Sequence, residues 1–272
     1  MSMQVTDLFT LKELNTAVKE GLVLPTQLEG TSIVNFNYTN KAAMDQNWFP
    51  CVAFCRALLV DLSTGEVVGR AYDKFFNYSE PSASLYSDKY TGPVEVTDKV
   101  DGMLGVVFWN SYNNKWAVST RGNPNSIVSE IAEKILYTQE NVENLDKNYS
   151  YVVEIICPES FIQIDYGNVR ELVLHGIVRL EDGEQIPVSS GNLHGWVGPV
   201  VDILPFTSLS EAIEYDIPNG KEGIVIFFTD TGVRLKIKGE DYLQKNRLLR
   251  GVKVKTTMKE VYDSGGNPLK YI

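Results

Sequence analysis

Hydrophobic and polar positions alternate with a period of two through much of the chain, and the elements this predicts are mostly hairpins. Strand-like runs at Cys51–Asp61 and Glu66–Tyr72 flank a turn at Ser63-Thr64-Gly65. A second pair, Met103–Trp109 and Trp116–Thr120, turns through Asn113-Asn114, and a third, Leu172–Leu180 and Gln185–Val188, turns around Asp182-Gly183. Tyr151–Cys157 is apolar apart from Glu154, the pattern of a strand buried on both faces. Ile224–Phe228 turns at Asp230-Thr231-Gly232 and returns as Val233–Lys238, where the alternation is strict. Val233, Leu235 and Ile237 point one way, and Arg234, Lys236 and Lys238 the other.

Helical spacing is confined to a few segments. Leu8–Val23 places Leu11, Leu14, Val18 and Leu22 on one face, with Pro25 ending the helix. Ser126–Leu145 does the same with Ile127, Ile131, Ile135 and Leu136. Ser208-x-x-Glu211 reads as a capping box opening a short helix, and a last helix covers roughly Glu240–Leu249. A polar loop is expected from Tyr78 through Tyr90. Hairpins with separated helices predict an α+β fold of antiparallel sheets with flanking helices. Nothing alternates as strand-helix-strand with a glycine-rich phosphate loop, which excludes a Rossmann or Walker-type site.

Composition narrows the chemistry. The 272 residues, 43% of them hydrophobic, suffice for one large core or two small ones. No apolar run approaches the ~20 residues of a membrane span, and no basic-then-apolar export signal opens the chain. Cys51, Cys55 and Cys157 contain no Cys-x-x-Cys pair and read as buried thiols of a reducing, cytoplasmic compartment. The two histidines, His175 and His194, lack metal-binding spacing and read as structural, which disfavours a zinc hydrolase or a Ser-His-Asp enzyme. The net charge of −10 argues against a general nucleic-acid coat, but it is unevenly placed. From Arg234 to Lys259 nine basic residues face only Glu240 and Asp241, so this strip carries +7 and the remainder −17. A basic strip on an acidic body suits a local polyanion site.

Candidate chemistry centres on Asp98-Lys99-Val100-Asp101-Gly102, between the strand-like runs Thr91–Val96 and Met103–Trp109. Extended backbone there would put Lys99 and Asp101 on the same side, and Gly102 would permit a close approach. Lys99 is a candidate nucleophile, which nearby cations, desolvation or a metal would help to deprotonate. Arg234, Lys236 and Lys238 either cover an anion site or defend an edge strand. Glu154 needs a cation, metal or hydrogen-bond donors if it is buried. Glu222, beside Gly223 at a strand's rim, could bind Mg²⁺ or its waters. Lys74, in Lys-Phe-Phe-Asn, is either a phosphate contact or a snorkelling charge. The electrophile could be a carbonyl or a nucleotide α-phosphate, and clustered cations with separated carboxylates favour the phosphate.

The ordered series Lys99-Val-Asp101-Gly102, Ser119-Thr-Arg121-Gly122, Val153-Glu154-Ile155, Glu222-Gly223-Ile224-Val225 and Arg234-Leu-Lys236-Ile-Lys238 resembles the covalent nucleotidyltransferases, the ATP-dependent polynucleotide ligases and mRNA capping enzymes. Upstream, Arg56 and Lys74-Phe75-Phe76-Asn77-Tyr78-Ser79-Glu80 are similar to the RNA ligases typified by the tRNA-repair ligases of T-even bacteriophages. The resemblance implies a strand-joining enzyme using ATP and Mg²⁺ or Mn²⁺. Lys99 would attack the α-phosphate to give lysyl-N-AMP, the adenylate would pass to an RNA 5′-phosphate, and a 3′-hydroxyl would displace AMP.

By position, Arg56 and Lys74 would contact phosphate or the RNA end. Arg121 would lie near the nucleotide's sugar and phosphates, Glu154 would hold the ribose, and Glu222 would organise the metal through its waters. Lys236 and Lys238 would stabilise the α-phosphate. The domains implied are an adenylyltransferase over 1–240, including an N-terminal module over 1–90, and a short basic helix and tail over 241–272. Lys245, Arg247, Arg250, Lys253 and Lys255 there could form a phosphate strip or a solvated face. The phage relatives continue into a helical domain that helps select tRNA, whereas this chain ends thirty-four residues after Lys238. The expected partners are ATP and RNA ends, with no membrane, and the expected state is a monomer. The alternatives are a catalytically inactive nucleotide- or RNA-binding protein, a DNA ligase or an mRNA guanylyltransferase.

Overall fold

A computed structural model describes residues 3–248. Helices α1 (Val5–Leu8) and α2 (Leu11–Lys19) lead into strands β1 (Val23–Gln27) and β2 (Ile33–Tyr38). Helices α3 (Asn40–Met44) and α4 (Pro50–Phe54) precede β3 (Leu58–Asp61), β4 (Glu66–Arg70) and β5 (Phe76–Asn77). A 3₁₀ segment over Pro81–Lys89 reaches β6 (Val94–Lys99), followed by β7 (Met103–Asn110), β8 (Lys115–Thr120) and α5 (Ile127–Leu136). Then come β9 (Tyr149–Ile156), β10 (Glu171–Arg179), β11 (Gln185–Ile186), β12 (Ile203–Leu204), α6 (Leu209–Ile213), β13 (Gly223–Phe228) and β14 (Arg234–Lys238). The chain is again helical over 240–248.

These strands make three sheets. An N-terminal sheet has the order β1-β2-β3-β4, a middle sheet β11-β10-β9-β7-β8, and a third β12-β6-β13-β14-β5. All pairings are antiparallel except β14 with β5. The α+β architecture and the hairpins β3–β4, β7–β8, β10–β11 and β13–β14 are those the alternation predicts.

Alternation also decides which way each strand faces. Val106, Phe108, Val152 and Val178 of the middle sheet pack with Ile33, Leu59 and Ala71 of the N-terminal segment. The opposite parity of the same strands, Val107, Tyr151, Val153 and Ile155, packs on α5 through Val128, Ala132 and Leu136. In the third sheet Val96, Ile224, Ile226, Phe228 and Leu235 join Phe9, Leu14 and Val52 in another core. The Val152 face of the middle sheet, continued by Glu154, and the second face of the third sheet line a cavity between them.

Several helix boundaries depart from the expectation. The first helix is broken at Thr10, whose side chain and Glu13 form a reciprocal cap, and it ends at Lys19. Pro25 lies within β1 opposite Phe36, which an edge strand tolerates. Cys51–Asp61 is not one strand: Pro50 at the first helical position opens α4, and only Leu58–Asp61 pairs as β3. The 78–90 stretch is mostly 3₁₀ helix rather than loop. Helix α5 stops at Leu136, and its buried face runs through Val128, Ala132, Ile135 and Leu136, leaving Ile127 62% exposed. Val128, Ile135 and Leu136 contribute roughly 1.5–3 kcal/mol each, enough to set the rotation of a ten-residue helix. At the C-terminal end Lys245 pairs with Asp241 at 2.7 Å. Arg250, Lys253, Lys255 and Lys259 lie outside the described residues.

Candidate active site

The cavity holds about 440 Å³ and is lined by seven cationic side chains against three carboxylates, on a chain of net charge −10. Arg56, Lys74, Lys99, Arg121, Glu154, Glu222, Lys236 and Lys238, scattered over 183 positions of sequence from 56 to 238, all face it. Such a concentration of positive charge suits an anionic ligand.

Its floor is the third sheet, where β6, β13 and β14 lie in register and every second residue faces the cavity. The register sets three rows. The first is Lys99, Gly223 and Lys238; the second Thr97, Val225 and Lys236; the third Glu95, Phe227 and Arg234. Strand β14 is covered by β5, so its cations do not defend a free edge.

In the first row Glu222 holds both lysines. Lys99 Nζ is 2.7 Å from its Oε2, and Lys238 Nζ is 2.8 Å from its Oε1. Gly223 is required beside it, because a Cβ would stand 2.1 Å from the Ile237 carbonyl oxygen. Burial pushes the Glu222 carboxyl up, but Lys99 and Lys238 together outweigh it and hold it below the usual carboxylate range. In the second row burial, reinforced by Lys74, Lys99, Arg56 and Lys238, drives Lys236 well below the usual lysine value. In the third row the Arg234 guanidinium lies between two rings, 3.4 Å from the Tyr72 centroid and 3.9 Å from that of Phe227.

The opposite wall comes from the middle sheet. Glu154 shares the parity of Ser150 and Val152 on β9 and so faces the cavity, while Tyr151, Val153 and Ile155 pack behind. Burial pushes its carboxyl up to about 7, against the pull of Lys99. His175 sits where a bulge shifts the β9–β10 register, with Nε2 3.5 Å from Glu154 Oε2. Burial and the surrounding cations lower the imidazole to about 3, so it is neutral.

The third side belongs to the N-terminal segment. Arg56 is half-buried and donates to the Tyr72 carbonyl oxygen at 3.2 Å. Lys74 donates to the Phe75 carbonyl oxygen and lies over the Trp48 and Phe76 rings at 4.7 and 4.0 Å. Burial lowers its ammonium to about 8. Arg121 lies over the Tyr38 ring and donates to the Tyr38 hydroxyl at 3.2 Å.

Asp101 does not stand beside Lys99. The chain leaves the strand after Lys99, and Asp101 turns into the protein, where its Oδ2 accepts from Gln163 N (2.9 Å) and Ile164 N (2.7 Å). Its Oδ1 accepts from the Tyr242 hydroxyl at 2.7 Å. It therefore ties the Lys99 segment to the 240–248 helix, over whose Tyr242 ring Lys238 Nζ lies at 4.8 Å. Gly102 permits the turn, because a Cβ would stand 2.7 Å from the Ile155 carbonyl oxygen.

Glu95, Thr97, Tyr72, His175 and Phe227 line the cavity without having been singled out from sequence. Glu95 and Thr97 share the parity of Lys99, and His175 interrupts an apolar run as Glu154 does; those were the available signals. His194 instead stacks on Tyr149, with centroids 3.9 Å apart. Among the described residues no cluster of three His, Cys, Asp or Glu could ligate a metal. Both Glu222 oxygens already face ammonium groups, which suits contact with a hydrated cation better than a protein cage.

Comparison with known proteins gives the following. The RNA ligase family matches residues 54–195. A viral protein assigned as a bifunctional polynucleotide kinase/RNA ligase, from Autographa californica nuclear polyhedrosis virus, is 26% identical over 246 residues, covering 78% of this chain and 34% of that protein. An archaeal ATP-dependent RNA ligase superposes with a TM-score of 0.59 at 16% identity, covering 85% of this chain and 62% of that one. A variant of the Naegleria gruberi RNA ligase with AMP and Mn gives 0.52 at 16% identity, covering 65% and 58%. The chain thus spans about a third of the viral relative and about three fifths of each of these structures, and the structural likeness is one of fold.

Proposed function

Because the chain belongs to the RNA ligase family, we propose that it is an ATP-dependent RNA ligase that joins 5′-phosphate and 3′-hydroxyl ends through a lysyl-N-AMP intermediate. The observation that carries this reading is the first floor row, where Lys99 Nζ and Lys238 Nζ meet on one buried carboxylate, Glu222. A nucleotide α-phosphate over that row would find the nucleophile and two further cations, Lys236 and Lys238, on one face. The proton on Lys99 must leave before attack, and the nearest base is Glu222 Oε2. The Lys99 nitrogen then bonds to the α-phosphorus as the bond to the β-phosphate oxygen breaks and pyrophosphate departs. Lys236 and Lys238 meet the charge on the α-phosphate, Arg56 and Lys74 that on the leaving group or the RNA end, and Arg121 the sugar-phosphate at the rim. Glu154 accepts from the ribose hydroxyls.

A Mg²⁺ or Mn²⁺ ion would be held by Glu222 through water and by the phosphates. It would supply charge neutralisation of the transferring group. In the second step the adenylate passes to the RNA 5′-phosphate, and in the third the 3′-hydroxyl displaces AMP. The adenylyltransferase unit is taken as 1–240, with 1–90 as its N-terminal module and 241–272 as a basic appendage. The chain is taken as a monomer. A cytoplasmic, reducing compartment fits the three buried free thiols, and no helix among the described residues is long and apolar enough to cross a membrane.

Incubation with α-³²P-ATP and Mg²⁺, followed by denaturing electrophoresis, tests the reading. Label that survives denaturation and is lost by more than 1,000-fold in Lys99→Ala, on the order of a removed nucleophile, is the expected result. Label from GTP alone would indicate a guanylyltransferase, and no label from either nucleotide overturns the covalent mechanism. Supplying 5′-phosphorylated RNA or DNA strands then separates the two ligase types.

A further inference from the structure

The ligase chemistry assigns the inside of the cavity and leaves its mouth unassigned. Of the residues that line the cavity Ile162 alone is exposed, at 46%, so the opening lies at that side chain. Phe161 beside it is 58% exposed. An RNA strand is too long to be enclosed and has to pass the opening. Adjacent exposed apolar side chains at such a place mark a contact surface.

The loop that presents them is preformed. A 3₁₀ turn over Pro158–Ser160 follows β9, where the Ser160 hydroxyl accepts from Cys157 N at 3.0 Å and donates to the Ile155 carbonyl oxygen at 2.8 Å. Glu159 and Arg170 pair across the loop at 2.7 Å. Asp101 fixes the next residues by accepting from Gln163 N and Ile164 N, and its own N–H donates to the Tyr166 hydroxyl at 3.2 Å. The loop is thereby coupled to Lys99, which is two residues, at most about 7 Å of chain, before Asp101. On its far side the same loop borders a second cleft of about 260 Å³, walled by Ile156, Pro158, Phe161, Ile164, Tyr166 and Val169. Drug-sized ligands occupy roughly 300–1,000 Å³, so this cleft suits one ring system and is too small for an element of a folded partner. Its two carboxylates are taken up by hydrogen bonds of the loop, Asp101 as above and Asp165 Oδ1 accepting from Gly167 N at 2.7 Å.

Resting on the ligase reading above, we infer that Phe161 and the cleft behind it seat the terminal base of the RNA strand that carries the 5′-phosphate, with Ile162 as the sill between that base and the cavity. The cations of the cavity hold the phosphate, and the aromatic face of Phe161 holds the base. Single-strand sites combine these two contacts, and stacking accepts any base because each has a π-face. The strand is positioned in this way without selection of its sequence.

The test is transfer of AMP from the α-³²P-labelled chain to 5′-phosphorylated RNA, scored against Lys99 labelling, a step that needs no RNA. Phe161→Ala should raise the RNA concentration for half-maximal transfer by about tenfold, the scale of one lost base stack. The rate at saturating RNA should change little, and Phe161→Tyr should recover most of the loss. RNA with an abasic 5′-terminal nucleotide should be used about tenfold less well than intact RNA by the wild-type chain, and equally well by Phe161→Ala. The fluorescent base 2-aminopurine at the RNA 5′ terminus should be quenched on binding to the wild-type chain and not to Phe161→Ala, which reads the seat without catalysis. Thermal unfolding checks that the variant folds, and the abasic substrate on the wild-type chain carries the test if it does not. Equal use of intact and abasic RNA by the wild-type chain overturns the base seat, as does an undiminished preference for intact RNA in Phe161→Ala. Loss of self-association in Phe161→Ala with RNA use unchanged gives the face to a second copy of the chain and overturns it too. A wild-type chain that no nucleotide labels overturns the ligase reading, and this inference with it.

Discussion

The two walls of the cavity treat a buried carboxylate in opposite ways. Glu154 on the middle sheet is 8% exposed and Glu222 on the third is 4% exposed, yet burial pushes the first up to about 7 while the second stays below its usual range. The difference is contact. Glu222 touches two ammonium groups within 3 Å, whereas the nearest recorded charged-type partner of Glu154 is a neutral imidazole at 3.5 Å. Desolvation acts on both, and only close opposite charge reverses it. One wall is therefore a fixed anion poised among lysines, and the other carries a carboxyl that takes up a proton near neutrality.

The largest expected effect comes from breaking the charged wall. Glu222→Ala leaves Lys99 and Lys238 without their shared carboxylate, and removing one member of a buried pair costs about 3–5 kcal/mol. Urea unfolding should report that loss, and, on the proposed mechanism, labelling by α-³²P-ATP should fall by at least about 100-fold. Retained stability would show that the lysines find other partners.

The neutral wall predicts a pH signature. Glu154 binds its proton more tightly folded than unfolded, so between its usual 4.5 and about 7 the native state holds the extra proton. Stability from this group is present below 4.5 and is lost as pH rises through about 7, by about 3 kcal/mol in all. Glu222, with its carboxyl lowered, contributes in the opposite sense, losing stability as pH falls. Glu154→Gln should flatten the decline between pH 5 and 8 in unfolding free energy; parallel profiles for the two proteins would contradict the assignment.

The smallest expected effect sharpens the comparison. Lys238→Met removes one of the two cations at Glu222 and leaves the Lys99 pair, at a cost of about 1.5–3 kcal/mol for one charged hydrogen bond. The Glu222 carboxyl should then titrate higher, towards the behaviour of Glu154, as carbon-13 NMR of labelled glutamate would record. No upward movement would mean that Lys99 alone sets its ionisation.

Much of this site was legible in the chain because side-chain parity on a strand is a local property. The alternation Arg234, Lys236, Lys238 against Leu235 and Ile237 is written in five residues, and the structure keeps it. Glu154 stood out as one charge in an apolar strand for the same reason. Local patterns were less informative where short segments had two solutions. Cys51–Asp61 contains apolar residues that suit a strand or one turn of helix, and Pro50 together with packing against Leu14 and Phe9 favoured the helix for its first part. Asp101 was misplaced because a two-residue rule assumes extended backbone, and the chain stops being extended immediately after Lys99.

The residues themselves therefore settle which side chains can share a face, where turns fall, and that seven cations and three carboxylates exist to be gathered. Folding settles which of them meet. Lys99 faces Glu222 across 123 positions of chain, and Glu95, Phe227 and Arg234 form one row only because β6 and β14 pair with β13 in one particular register. The environment of each charge follows from the same cause. Desolvation and Coulomb attraction depend on distances between strands, so the opposite ionisation of Glu154 and Glu222 belongs to the packed cavity and to neither local sequence.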